Sequence, residues 1–211
     1  MTAPSDLVAI LLATRIQRPE CPSLAEWLPN WRSGQTLHAA GGSFTAAVAC
    51  ALQADRLAWA FFSGYQGAIQ AAFETSAGTL GAFAANEVQR KITEVETTLH
   101  QQDGQMVVKG SKSWVLARTE DLTLFVLARR DGGPATGPGS LCIVRLWARS
   151  LGVDFGDARA QAVVPEMPHS AIRLQSVVEP SDALAGDGYA DYAKPFRLRE
   201  DVFVTACTLA Y

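Results

Sequence analysis

The side chains that could do chemistry are few and scattered. Three histidines, His38, His100 and His169, share no HExxH or other ligand spacing, so no metal site is expected. Glu94 and Glu96 in TEVETTLH fall on one face of an alternating segment. Paired carboxylates for acid–base work share a face in this way, and so does a solvated strand surface. The run GGPATGPG lacks the Lys-Ser/Thr ending of a phosphate loop and sits between apolar segments instead of opening a helix. No GxGxxG follows a strand, and no GxSxG elbow occurs. Arg90 and Lys91 could meet a diphosphate as point charges, but a solvated surface explains them better. Cys21, Cys50, Cys142 and Cys207 form no CxxC pair and read as reduced, buried thiols. Motif chemistry alone names no reaction and no catalytic residue.

Composition narrows the class. The 211 residues are 48% hydrophobic and 18% charged, against roughly 25% charged in an average soluble protein. A surface so poor in charge fits one partly covered by another subunit, hence a homo-oligomer or a partner chain. The net charge of -3, without any Lys/Arg run, excludes the basic field that nucleic-acid binding needs. In MTAPSDLVAILLATRIQRPE, Asp6 precedes the apolar patch and Arg15 closes it too early to span a bilayer. The stretch predicts an N-terminal helix capped by Ser5 or Asp6, in a soluble cytoplasmic protein without a membrane segment.

The elements that must position any site change character near Gly78. From Ala39 to Phe73 the spacing is helical, and in ADRLAWAFFSGYQGAIQAAFE apolar residues wrap most of the helix, as a helix buried on several sides requires. Gly64 and Gly67 cost about 1 kcal/mol each against Ala there; a second backbone lying close would explain them, and two tolerated glycines would do so equally well. After Gly81 short segments alternate: TEVETTLH, a hairpin at Asp103-Gly104, MVVKGSKSWVLA, LTLFVLARR, SLCIVRLW, AQAVVPEM and SAIRLQSVV. The prediction is an α+β chain: a helical domain over 1–80, a small antiparallel β-barrel or sandwich over 81–190, and a helix stub over 191–211. In that stub Pro195 sets a boundary, Glu200 and Asp201 mark the helix start, and Val202, Val204, Ala206, Leu209 and Ala210 form the apolar face. A helix this short needs something to pack on.

Taken in order, LGAFAANE, DGQMVVKGSKSWVLARTEDLTLFVLARR, MPHSAIRLQSVV and LAGDGYADYAKPFRLREDVFVTACTLAY resemble the acyl-CoA dehydrogenase family of flavoproteins, over about residues 40 to 211. The resemblance implies an N-terminal helical domain, a middle β-barrel and a C-terminal helical bundle, with FAD as cofactor and an acyl-CoA thioester as substrate. PFRLREDVF looks like the entrance to the bundle, which in the family supplies the catalytic glutamate and much of the oligomer interface; the expectation is that this chain lacks it. Matched by motif, Phe83, Ala85 and Asn86 take the place of the family segment that lines the flavin's pyrimidine edge, with the Asn86 amide in place of a hydroxyl. Trp114 keeps the family's indole beside the ring, while Leu116 stands where the family has a Thr and offers only its backbone N–H. VQRKITEVE replaces the family's Gly-Ser-Asp loop.

Two functional classes follow. One is an acyl-CoA-dehydrogenase-like flavoprotein chain whose base comes from elsewhere, acting in oxidation of an acyl-CoA thioester. The other is a non-catalytic scaffold or partner subunit with a degenerate flavin cleft. The related flavin-dependent monooxygenases are a third reading.

Overall fold

Ser23 accepts a hydrogen bond from the Glu26 amide and opens α1 (Leu24–His38). The computed structural model describes residues 18–92, 94–116, 119–132, 139–167 and 169–211, so the expected helix at Ser5 or Asp6 lies outside the described residues. Two units are distinguished. One holds the described residues up to Thr79 with Gln161–Met167 and Phe196–Tyr211; the other holds Leu80–Ala160 and Pro168–Pro195.

In the helical unit α1 is followed by α2 (Gly42–Leu52) and α3 (Leu57–Phe73). Trp27 of α1 stacks on Trp59 of α3, and Trp31 meets Phe62 edge-on. These aromatic pairs join α1 to α3, while α2 is an Ala-rich helix buried from Thr45 to Leu52. As its sequence predicts, α3 is buried nearly all round. All four cysteines are free and buried.

The final helix, α4 (Lys194–Ala210), supplies the expected second backbone. A Cβ built on Gly64 would lie 2.7 Å from Val204 Cα and 2.8 Å from the Phe203 carbonyl oxygen; one on Gly67 would lie 2.8 Å from the Phe203 ring. Phe44 and Tyr65 meet Phe203 and Phe196 edge-on. The stub thus packs on the N-terminal helices, but its start and buried face differ from expectation. It begins at Lys194, directly after a π-helix (Gly188–Ala193) whose Tyr189 carbonyl accepts from the Lys194 amide, so Pro195 lies in the first turn of α4 instead of bounding it. Phe196, Phe203 and Cys207 are its buried residues, whereas Val202 and Leu209 are 50% and 82% exposed. Two Phe rings carry more apolar area than the valines, and they decide which face turns inward.

Burial raises the Glu200 carboxyl from its ordinary 4.5 to about 7, Asp201 adding to the effect and Arg197 opposing it. The folded state therefore holds this proton more tightly than the unfolded chain, so its contribution is full below about 4.5 and is lost as pH rises through 7. Glu200→Gln is expected to raise Tm by a few degrees at pH 8, on the order of 1 kcal/mol, and to leave it unchanged at pH 4. Thermal melts of both proteins at the two pH values check this.

The second unit is one seven-stranded sheet. Its centre is β4 (Thr123–Arg130), fully buried over its first six residues. Along one edge β4 pairs antiparallel with β5 (Leu141–Trp147). Along the other, β1 (Gly81–Ala84) and then β2 (Thr98–Gln102) lie end to end, both parallel to β4. A hairpin with positive φ at Asp103 and Gly104 joins β2 to β3 (Gln105–Leu116) as the sequence predicts. β3 pairs with β7 (His169–Val178), and β7 with β6 (Val153–Phe155), both antiparallel.

The α+β order is as expected, with corrections inside the sheet. The sheet is mixed because the 85–97 connection returns β2 along the edge β1 has already used, in the same direction, and it is open rather than a barrel because, among the described residues, its end strands β5 and β6 do not pair. TEVETTLH is a strand only from Thr98, and AQAVVPEM forms bends and turns, where Pro165 removes a ladder donor. Among the described residues no helix is long and apolar enough to cross a membrane.

Candidate functional site

Strand β1 loses its partner at Ala84, whose register mate is Val126. The next three residues are held by β3 instead. The Lys112 ammonium donates to the Ala85 carbonyl at 3.4 Å, and Ser113 donates to the Asn86 carbonyl from its amide at 2.9 Å and its hydroxyl at 3.1 Å. Lys112 also reaches Glu87 Oε1 at 2.8 Å, in an ion pair whose side chains are 0% and 7% exposed.

Ser113 is free to serve Asn86 because β3 carries a bulge. Lys112 pairs with Ile172 and Val115 with Ser170, leaving Ser113 and Trp114 opposite the single residue Ala171. A bulge breaks the two-residue alternation and re-aims side chains. Lys112 and Val115 consequently both point inward, while Trp114 emerges 48% exposed. The His169 ring lies edge-on to the indole, centroids 4.7 Å apart. Burial lowers the His169 pKa below its ordinary 6.5, so the imidazole is neutral at pH 7, and its buried Nδ1 has no hydrogen-bond partner among the described residues.

Glu87 gathers further bonds. Its carboxylate accepts from the Glu96 amide at 2.7 Å, the Thr97 amide at 3.0 Å and the Thr97 hydroxyl at 2.7 Å. Burial alone would raise this carboxyl, but the hydrogen bonds from Glu96, Lys112 and Thr97 outweigh it and hold the pKa down to about 2. Lys112 is lowered by burial to about 8, with Glu87 acting against the fall, so both groups are charged at pH 7.

Of the five residues singled out from sequence, Ala85, Asn86 and Trp114 are thus gathered at one place. Asn86 is exposed and Trp114 half exposed; Ala85 is 4% exposed and presents backbone only. Phe83 is half-buried on β1 opposite Phe125, and Leu116 is buried at the end of β3 opposite His169. Arg90 pairs with Glu96 and Lys91 with Glu94, so both cations and both acids are spent on one another within the 85–97 connection. Glu94 and Glu96 accordingly do not form a carboxylate pair on a strand. Glu87, Thr97, Lys112, Ser113 and His169 were not visible as site residues. Their one sequence signal is slight: counting by two from Val108 puts Lys112 on the inward face of β3, where a lysine needs an acid beside it.

No family model matches the sequence, and neither does any curated protein sequence. Solved structures do match its fold. An FAD-dependent dehydrogenase superposes with a TM-score of 0.72 at 12% identity, over 100% of this chain and 64% of its own. Butyryl-CoA dehydrogenase from Megasphaera elsdenii gives 0.72 at 13% identity, over 98% and 64%. PigA in its FAD complex gives 0.71 at 12% identity, over 100% and 66%. The fold is that of the acyl-CoA dehydrogenase-like flavoproteins. The chain spans about two thirds of the length of these structures.

Within an acyl-CoA dehydrogenase-like fold, the bulge site suits a flat ligand with a polar edge. An open aromatic face, an exposed carboxamide and an orphaned buried imidazole nitrogen stand together there. Flavin has that shape and edge chemistry, and the residues present fit it.

Proposed function

We propose that this chain is the flavin-binding part of an acyl-CoA-dehydrogenase-like flavoprotein that oxidises an acyl-CoA thioester. The observation that carries the reading is the β3 bulge, which turns Trp114 outward beside Asn86 and the unpartnered His169 Nδ1. Trp114 covers the flavin ring, the Asn86 carboxamide donates to its polar edge, His169 Nδ1 takes a further polar atom, and Leu116 contributes backbone alone. Bound FAD would supply a two-electron acceptor. The residues of this site orient it and keep water from one face, and none of them is placed to take the α-proton. That base belongs to a helical bundle on further sequence or on a partner chain. The exposed Leu198, Val202 and Leu209, which lie within about 40° of azimuth on α4, fit such a covering partner, including a second copy of the chain. The protein is soluble and cytoplasmic in this reading.

The buried, hydroxyl-free Leu116 favours a second reading, a scaffold whose cleft no longer holds flavin. The visible spectrum separates the two. The flavoprotein reading expects a yellow protein that keeps FAD through gel filtration, with Trp114→Ala weakening FAD at least about tenfold. A colourless protein with no thermal shift on adding FAD overturns it and leaves the scaffold.

A further inference from the structure

The end of β1 is a poorly supported place to build a binding edge. Beyond Ala84 it has no strand partner, and a connection from 85 to 97 begins there. Backbone left outside a ladder is held by whatever polar side chains reach it. Here one ion pair does most of that work. Lys112 holds the Ala85 carbonyl, and Glu87 holds both amides and the hydroxyl at Glu96 and Thr97, where the connection rejoins the sheet. A single carboxylate thereby fastens both ends of the connection.

The same lysine is the last regularly paired residue before the bulge. Ser113 follows it immediately, and its amide, released from β7 by the register shift, goes to Asn86. Trp114 is next. Displacing Lys112 therefore moves the residue that grips Asn86 and the residue that presents the indole.

The cost of this arrangement argues for a role beyond holding the fold. A buried ion pair carries a desolvation penalty, and an apolar pair of similar volume is often as stable or more so. What an apolar pair cannot do is bind the Ala85 carbonyl and two strand-end amides in one fixed geometry.

We propose that Lys112 and Glu87 are a positioning pair that sets Trp114 and the Ala85–Asn86 backbone in register for the ligand. They act through Ser113 and the 85–97 connection and touch no ligand themselves. For its affinity arm the proposal rests on the flavin reading above; its spectroscopic arm does not.

The variant that tests it is Lys112→Met/Glu87→Gln. It keeps the volumes and an acceptor for the Thr97 amide, and it removes the ion pair and the bond to Ala85. The full chain is labelled with 5-fluorotryptophan. Of its five tryptophans, Trp114 is assigned by its loss in Trp114→Phe. The expected result is a displaced or broadened Trp114 fluorine resonance, with Trp27, Trp31 and Trp59 unmoved and Tm within a few degrees of the parent. FAD is expected to bind about tenfold more weakly or worse, as when a supporting residue behind a site is lost. Lys112→Arg, which can still reach the carboxylate, is expected to recover part of both effects.

An unmoved Trp114 resonance with FAD affinity within about twofold of the parent overturns the proposal. So does a uniform shift of all five resonances, since the pair would then be a general support of the fold. If the parent chain shows no FAD affinity, the flavin reading fails, and the selective displacement of Trp114 alone decides whether the pair positions that residue.

Discussion

Gly64→Ala is expected to destabilise the protein by about 2 kcal/mol, although helix propensity by itself predicts a gain of about 1. The sign turns on what the new methyl would meet. It would sit 2.7 Å from Val204 Cα and 2.8 Å from the Phe203 carbonyl oxygen, both backbone atoms of α4. A side chain can yield by changing rotamer, but a helix backbone can yield only by moving the helix. Moving α4 withdraws Phe203 from Phe44 and Phe196 from Tyr65 and Phe73. An overpacking cost of about 3 kcal/mol against a propensity gain of about 1 leaves the net loss. Urea unfolding of the two proteins measures it, and unchanged or increased stability would mean that α4 does not lie against α3. Truncating Phe203 is expected to add its own loss without rescuing Gly64→Ala, because the clash is with main chain.

Glu87→Ala is expected to cost about 3–5 kcal/mol, the range for breaking a buried ion pair by deleting one member. Four donors lose this acceptor at once: the Lys112 ammonium, the Thr97 hydroxyl and the amides of Glu96 and Thr97. The unpaired ammonium is the largest of these. Adding Lys112→Met to Glu87→Ala is therefore expected to recover part of the loss, which independent sites would not do. The pH dependence carries the same signature. The folded carboxyl lies at about 2 against an ordinary 4.5, so the parent's stability from this group is complete above 4.5 and drains away as pH falls toward 2. Glu87→Ala lacks that acid limb. Its own deficit should shrink as pH rises toward 8, because without Glu87 to hold its pKa up the buried lysine sheds its proton earlier than in the parent. Denaturant midpoints across pH 3 to 9 test both limbs; a deficit independent of pH would deny the ion pair its place.

These two positions differ in how far they could be read beforehand. Two glycines inside an otherwise apolar helix carry a cost that a close neighbour would justify, so Gly64 hinted at an approaching backbone without naming it. Glu87 announced nothing. A carboxylate at a strand end is usually solvated, and only the return of the 85–97 connection brings Thr97 and Lys112 to it.

By itself the sequence determined the order of elements, because periodicity and turn chemistry are local. The shift from helical spacing to short alternating segments near Gly78, the Asp103-Gly104 hairpin and a terminal helix in need of a partner were all legible. Tertiary structure alone decided the rest, because each item depends on which distant segments meet. The parallel placement of β1 and β2 along one edge of β4 made the sheet mixed, and its end strands β5 and β6 stay unpaired with each other. Two Phe rings turned α4 by their greater apolar area. A one-residue mismatch between β3 and β7, just after the inward-facing Lys112, turned Trp114 outward to the surface, and pairing register is a property of two strands that neither strand's own residues specify.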